Sequence, residues 1–225
     1  MAYKTSKETQ ERKDQKKEHI IRTAVNVFCQ NGYHGTTVKN IVDVAEVSVG
    51  TFYFYFKSKE DLFETMYDEL STVLYGALCV SLNNLTIEID KGFSKAIAFF
   101  FRAIESHESM ARIMLIEAVG LNSKFEAKRA EVTRKYVDYA AFHFDKLKSD
   151  GILSTPDVRI AATAFIGTLY TIVMEWLQSN SNEKLTNYVY ALSIFNLQAL
   201  GIDFNDEKIK EGIEEALNDE MPFQI

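Results

Sequence analysis

Proline is almost missing. The 225 residues include two, Pro156 and Pro222, and only ten glycines. Breakers this sparse exclude an all-β chain, which needs turn residues at short intervals, and favour long helices. No stretch alternates apolar and polar residues for long, and no strand–loop–helix phosphate motif occurs. Cysteine is equally scarce. Cys29 and Cys79 both fall inside helical patterns and read as small buried hydrophobes, which excludes a disulfide framework. Long hydrophobic runs are lacking too. The uncharged, mostly apolar run Ile160–Met174 falls short of the ~20 residues that span a bilayer. The first twenty residues are polar and charged, unlike a secretory signal. A soluble, cytoplasmic chain with no membrane partner is therefore expected.

Catalytic and metal-binding patterns are also missing. His19, His34, His107 and His143 are scattered, and none has a glutamate three residues before it, as a di-iron helical site requires. No HExxH, CxxC, GxSxG or P-loop is found. The chain reads as no enzyme, with no metal and no cofactor.

What is present is charge of uneven sign. The net charge is −7, yet residues 1–63 carry +2 and residues 64–225 carry −9. An acidic body can coexist with local phosphate binding, because screening confines distant charge to ~8–10 Å.

Hydrophobic spacing predicts helices throughout. Residues 1–8 are polar and expected to be disordered. A helix beginning near Thr9–Lys13 carries Ile20, Ala24, Val27 and Phe28 at i, i+4, i+7 and i+8 and stops at Asn31-Gly32. Its Lys13, Lys16 and Lys17 suit either a solvated face or phosphate contact. A second helix starts at Thr36 or Thr37 with Val38, Ile41, Val42 and Ala45 buried. The turn Glu46-Val47-Ser48 leads into a third, from about Val49 to Phe56. Ser58, with Asp61 three residues on, opens a long helix reaching Leu82. Further helices are expected at 89–106, 108–119, 123–149, 156–179, 184–200 and 206–218. Thr155 can cap the one at 156, with Pro156 in its first turn.

The stretch 36–63, TTVKNIVDVAEVSVGTFYFYFKSKEDLF, is the most informative. Two short helices about a tight turn, followed by a third, are how proteins place side chains in the DNA major groove. Tyr53, Phe54, Tyr55 and Phe56 cover every side of a two-turn helix. Phe52 and Phe56, at i and i+4, suffice for a core. Thr51, Tyr53, Phe54 and Tyr55 then point outward, and exposed aromatics call for a partner. Tyrosine can lay its ring along sugar and offer its hydroxyl to phosphate. Thr51 is small enough to approach base edges, and Gly50 lets the backbone come close.

These residues carry a family resemblance. Asn31-Gly32-Tyr33, Thr36-Thr37, Ile41, Ala45, Val47-Ser48, Gly50-Thr51, Tyr53, Tyr55-Phe56 and Lys59-Glu60-Asp61-Leu62 stand in the order and spacing of TetR-type transcriptional repressors. The resemblance covers residues 20–67 in detail. It implies an all-α fold: an N-terminal three-helix helix-turn-helix DNA-binding domain (9–63) and a C-terminal helical ligand-binding and dimerisation domain (64–225). It implies that Thr37, Lys39, Ser48, Val49, Thr51, Phe54 and Tyr55 lie near DNA. Tyr53 and Lys59 would hold phosphates, and Gly50 would permit close approach. For Phe54 the alternative is partial burial. Two departures stand out. Glycine is usual where Glu46 stands, so a non-glycine residue there faces a left-handed turn at roughly 1–2 kcal/mol. Histidine is common where Tyr55 stands.

A second signal lies in helices 156–179 and 184–200. Leu185, Tyr188, Leu192, Phe195 and Ala199 recur at a 3.5-residue period, opposite Ala161, Ala164 and Thr168. They suit a monomeric core or a dimer seam. The resemblance implies the seam: a homodimer formed through a four-helix bundle, reading a near-palindromic operator. Large apolar residues crowd 89–149. Phe100, Phe101, Met114, Glu117 and Phe142, with Tyr170, Met174 and Trp176, are the candidate lining of an effector pocket, with plain core packing as the alternative. Arg102, Arg112 and Glu175 are further charged candidates there. The effector would be a hydrophobic small molecule, an acyl chain or an aromatic compound, that releases the protein from DNA. Competing readings are a constitutive or architectural DNA-binding protein without a pocket, and a helical adaptor with a vestigial head.

Overall fold

The computed structural model describes residues 7–82, 88–117, 119–179 and 182–220, without the side chains of 80 and 81. All regular structure among them is helical, as the breaker count predicts. The chain divides into two compact units. The first runs to Glu69 and includes Ser109–Val119; the second comprises Leu70–Glu108 and the chain from Gly120 onward. The boundary expected at 63/64 thus lies inside a helix of the first unit. Residues 109–119, expected in the C-terminal domain, group with the first.

In the first unit α1 spans Lys7–Gly35, α2 Val38–Val44, α3 Val49–Tyr55 and the start of α4 Lys59–Leu82. Helix α1 begins earlier than the spacing suggested. Lys7 and Glu8, assigned to the polar tail, are helical, and residues 1–6 of that tail lie outside the described residues. The helix breaks at Gly32 (φ 69°, ψ 164°), where Thr36 Oγ1 donates to the freed Gly32 carbonyl at 2.8 Å. Ile20, Phe28, Ile41, Phe52, Phe56, Leu62, Phe63 and Met66 form the core, each at most 1 % exposed. Phe28, Tyr33 and Phe63 pack ring to ring with centroids 4.9–6.0 Å apart. The short α6 (Glu108–Arg112) and a π-helical turn at Ile113–Glu117 replace the single helix expected over 108–119, of which Ala118 lies outside the described residues. Met110, Ala111, Ile113 and Met114 of this segment are buried, and the π turn packs against α1.

In the second unit α5 (Ile89–Ser106) is enclosed by α8 (Val158–Gln178), α9 (Val189–Ala199) and α10 (Asp206–Asn218), while α7 (Ser123–Ser149) packs on α8. Three consecutive phenylalanines on α5, Phe99–Phe101, are all buried, which only a helix covered on several sides achieves. Helix α10 lies very close to α5. A Cβ on Gly212 would stand 2.3 Å from the Lys91 carbonyl oxygen and 2.4 Å from Ser94 Oγ. Ser94 Oγ donates to the Ile209 carbonyl at 3.0 Å, and Lys91 and Lys95 pair with Glu211, Glu215 and Asp219. Helix α8 starts at Val158, capped by Asp157, whose side chain accepts from the Ile160 amide at 3.0 Å. Thr155, the expected cap, instead donates to the Asp157 carbonyl at 3.3 Å. The helix expected from 184 opens as a 3-10 turn, Leu185–Tyr188.

Candidate DNA-binding surface

Local chemistry fixes the pair α2–α3. Thr37 and Asn40 form a reciprocal capping box at the start of α2. The helix ends in a Schellman arrangement, with the Val47 amide donating to the Val42 carbonyl at 3.1 Å. Glu46 occupies the left-handed position of that motif at φ 53°, the only described non-glycine residue with positive φ. His19 Nε2 lies 3.0 Å from the Ala45 carbonyl oxygen and ties α1 to the turn. Ser48 then caps α3, accepting from the Thr51 amide at 3.0 Å, and its hydroxyl lies 2.8 Å from Thr51 Oγ1.

Helix α3 divides its aromatics as the spacing predicts. Phe52 and Phe56 are buried, while Tyr53 is 54 % and Phe54 66 % exposed. Tyr55 is half-buried and stands edge-on to Phe54 at 4.9 Å. Ser48, Val49 and Gly50 are exposed at the start of the helix, and Thr51 is half-buried. The chain itself does not demand glycine at position 50, since a Cβ there would make only an ordinary 3.7 Å contact with Ser48 Oγ. On α2, Thr37 and Lys39 are exposed, as is Val44, an apolar side chain that spacing alone did not single out. These residues line one end of the first unit with both polar and apolar groups facing solvent.

Lys59 behaves differently from a free surface cation. Its ammonium donates to the carbonyls of Tyr33 and Thr36, both at 2.7 Å, and rests 4.2 Å from the Tyr33 ring centroid. Burial lowers its pKa below the usual lysine range, with Glu60 opposing. Burial, then neighbouring Glu60, raises the Tyr33 phenol. Two of three ammonium protons are already committed, so one remains for an anion. No sequence pattern signals this, because the acceptors are backbone atoms more than twenty residues away. The same holds for Lys13, whose ammonium stands 5.6 Å from the Phe54 ring centroid.

The remaining candidates fall as follows. Phe100 and Phe101 on α5 and Trp176 on α8 are buried, Met174 is half-buried, and Phe142 and Tyr170 are exposed. Met114 and Glu117 belong to the first unit, held there by the packing of the π turn on α1. Glu117 Oε2 is buried without a hydrogen-bond partner, near the break at Gly32. Arg102, a charged candidate for an effector, donates to the Ala216 and Asp219 carbonyls and so closes the end of α10. Along the proposed seam, Leu185 and Leu192 are buried within the unit, Ala161, Thr168 and Tyr188 are half-buried, and Ala164, Phe195 and Ala199 are exposed. Helix α8 is long and apolar enough by composition to cross a bilayer, and Ile160 on it is 67 % exposed.

A capped α2, a left-handed turn and an α3 with an uncovered outward face define a helix-turn-helix of the kind found in DNA-binding proteins. The profile described as "Bacterial regulatory proteins, tetR family" matches residues 20–66, which contain this motif. Residues 20–66 thus carry a DNA-binding domain of the TetR type. It is 26 % identical over 188 residues to the fatty acid metabolism regulator protein of Bacillus subtilis, covering 81 % of this chain and 93 % of that protein. Its fold is that of the fatty acid degradation regulator FadR of Bacillus halodurans (TM-score 0.73, 24 % identity, 84 % of this chain and 97 % of the other). The same fold is seen in FadR of Bacillus subtilis in complex with stearoyl-CoA (TM-score 0.68, 23 % identity, 80 % and 96 %).

Proposed function

We propose that the chain is a cytoplasmic, homodimeric repressor that binds a near-palindromic operator and is released by an acyl-CoA or related acyl-chain effector. The observation that carries the DNA half is the uncovered face of α3. Tyr53, Phe54 and Val49 are each at least half exposed on a helix whose other side is fully packed. Large apolar groups in such a position favour a partner surface, and a short helix held by α2 fits a major groove. Ser48, Thr51 and Tyr55 would face bases, and Lys39, Tyr53 and Lys59 phosphates.

Dimerisation is supported by α8 and α9. Ile160, Ala164 and Gly167 on one helix and Phe195 and Ala199 on the other are exposed, an apolar and small-residue surface that lets a second copy approach closely. Leu185 and Leu192 would support this seam from beneath.

The acyl effector is supported by what the similar Bacillus subtilis FadR structure holds, stearoyl-CoA. It is also supported by the apolar character of the second unit. There α4 and α7 meet through long aromatic side chains. Tyr75 stacks on Tyr136 at 6.0 Å and meets Tyr139 edge-on at 5.5 Å, with Phe100 alongside. Tyr136 and Tyr139 donate to the α4 carbonyls of Ser71 and Cys79, both at 3.2 Å. These are side-chain contacts between two helices, the kind of packing into which a hydrophobic chain would insert. An effector that binds the DNA-incompetent state better shifts the population toward it, by no more than its differential affinity.

The test is a titration of operator binding with stearoyl-CoA, stearate and free CoA, using a duplex selected from random sequence. Release by the thioester, weaker release by the acid and none by CoA is expected. Operator affinity indifferent to all three would remove the acyl-effector reading, and failure to select any duplex would remove the DNA-binding one.

A further inference from the structure

We infer that Lys13 and Phe54 act as one DNA-contacting pair, in which the α1 ammonium orients the α3 ring and itself takes a backbone phosphate. The inference rests on the reading of the chain as a duplex-binding regulator and adds a contact from outside the helix-turn-helix. Its basis is the different fates of the cations around the motif. Arg12 pairs with Glu8 at 2.8 Å, Lys17 with Glu69 at 3.5 Å, and Arg22 with Glu18. Lys59 spends two protons on carbonyls. Lys13 lies between Arg12 and Lys17 on α1 and has no carboxylate partner among the described residues. Its ammonium stands over Phe54, the most exposed aromatic ring of α3.

A cation over an exposed ring adds little to folding stability. What the pairing changes is freedom. Lysine has the largest rotamer entropy to lose, and a phenylalanine two-thirds in solvent has no wall to hold it. Resting on each other, both are partly ordered before DNA arrives, which lowers the cost of ordering them in a complex. The ring face bound to Lys13 is also fixed, so its other edge is presented to sugar or to a thymine methyl group, the apolar feature of the major groove. The ammonium keeps its three donors and its full charge. A phosphate that it meets releases a counterion, which a neutralised Arg12 or Lys17 would do less well.

Binding of a selected operator, followed by anisotropy across a range of salt, tests the pair in the full-length protein. Lys13→Gln is expected to weaken binding roughly tenfold and to flatten the dependence of log K on log salt by about 0.9, one phosphate's worth. Lys13→Arg keeps charge and ring contact and should keep the slope. Arg12→Gln, already paired internally, should leave it unchanged. Phe54→Leu should weaken binding, and the double variant Lys13→Gln, Phe54→Leu should lose less than the product of the single losses. A Lys13→Gln slope equal to wild type overturns the phosphate contact. Strictly multiplicative losses overturn the pairing. Wild-type protein that binds no duplex overturns the parent reading and this inference with it. Circular dichroism of each variant confirms that the helices are intact.

Discussion

Lys59 is bonded across to the residue whose ring it covers. Its ammonium donates to the Tyr33 carbonyl at 2.7 Å while lying 4.2 Å from the centre of the same tyrosine's ring, and a second bond reaches Thr36. The start of α4 is thereby fastened to the broken end of α1. Replacing Lys59 with methionine keeps the stem but leaves both carbonyls without this donor. The loss should be about 1–3 kcal/mol, as for hydrogen bonds to charged groups that are only partly screened. Urea unfolding checks it, and an unchanged midpoint would mean that the fastening has no net weight.

Glu46 stands where the turn needs positive φ. Glu46→Gly should stabilise the first unit by up to about 1 kcal/mol, the left-handed penalty less the greater freedom glycine has when unfolded. Glu46→Val, β-branched, should destabilise by more than that gain. The two variants are expected to move the denaturation midpoint in opposite directions. Shifts of the same sign would show that the Glu46 side chain, not its backbone, matters.

Gly212 allows α10 to touch α5. Gly212→Ala puts a methyl group 2.3 Å from the Lys91 carbonyl oxygen, a backbone atom that cannot swing aside. Separation of the helices would also stretch the Ser94 bond to Ile209. A cost of about 1–3 kcal/mol is expected, as for overpacking elsewhere, read as a lowered Tm in calorimetry. A wild-type Tm would mean that the helices part freely.

His143 gives the second unit a sensitivity to acid. The side chain is 8 % exposed, packs against the Tyr139 ring at 4.7 Å and Phe142 at 5.3 Å, and its Nε2 has no hydrogen-bond partner. Burial first, and Lys146 second, lower its pKa below the usual histidine value. The folded state therefore holds the neutral form and binds fewer protons than the unfolded chain near that range. Its stability contribution is fully present above the unfolded pKa, about 6.5, and is lost as pH falls through the lower folded value. His143→Leu should remove this part of the slope below about pH 6.5. Identical pH profiles for the two proteins would contradict the buried neutral imidazole.

What sequence revealed was local. The Thr37 cap, the Ser58–Asp61 start of α4, the left-handed demand at Glu46 and the burial of Phe52 and Phe56 all depend on residues within one turn of each other. Where two neighbours could do one job, spacing did not decide. Thr155 and Asp157 can each cap a helix, and Asp157, directly before the first helical residue Val158, is the one that does. Long-range partners were invisible. Arg102 reads in sequence as a charged candidate for an effector, yet it bonds carbonyls more than a hundred residues later. Lys59 shows the same blindness in the opposite sense, since an exposed-looking helix-start lysine proves to have two of its three ammonium protons on backbone oxygens.

The docking of α10 on α5 has a consequence for biosynthesis. Lys91 and its partner Glu211 are 120 positions apart. At ribosomal speeds of ~5–20 residues per second, the flank of α5 waits roughly 6–24 s for its cover. During that interval three lysine and arginine side chains and the surface beside Ser94 face the crowded cytosol or a chaperone. A premature stop ahead of Asp206 would make that vulnerable interval permanent, so such truncated chains should be destined for proteolysis rather than survive in weakened form.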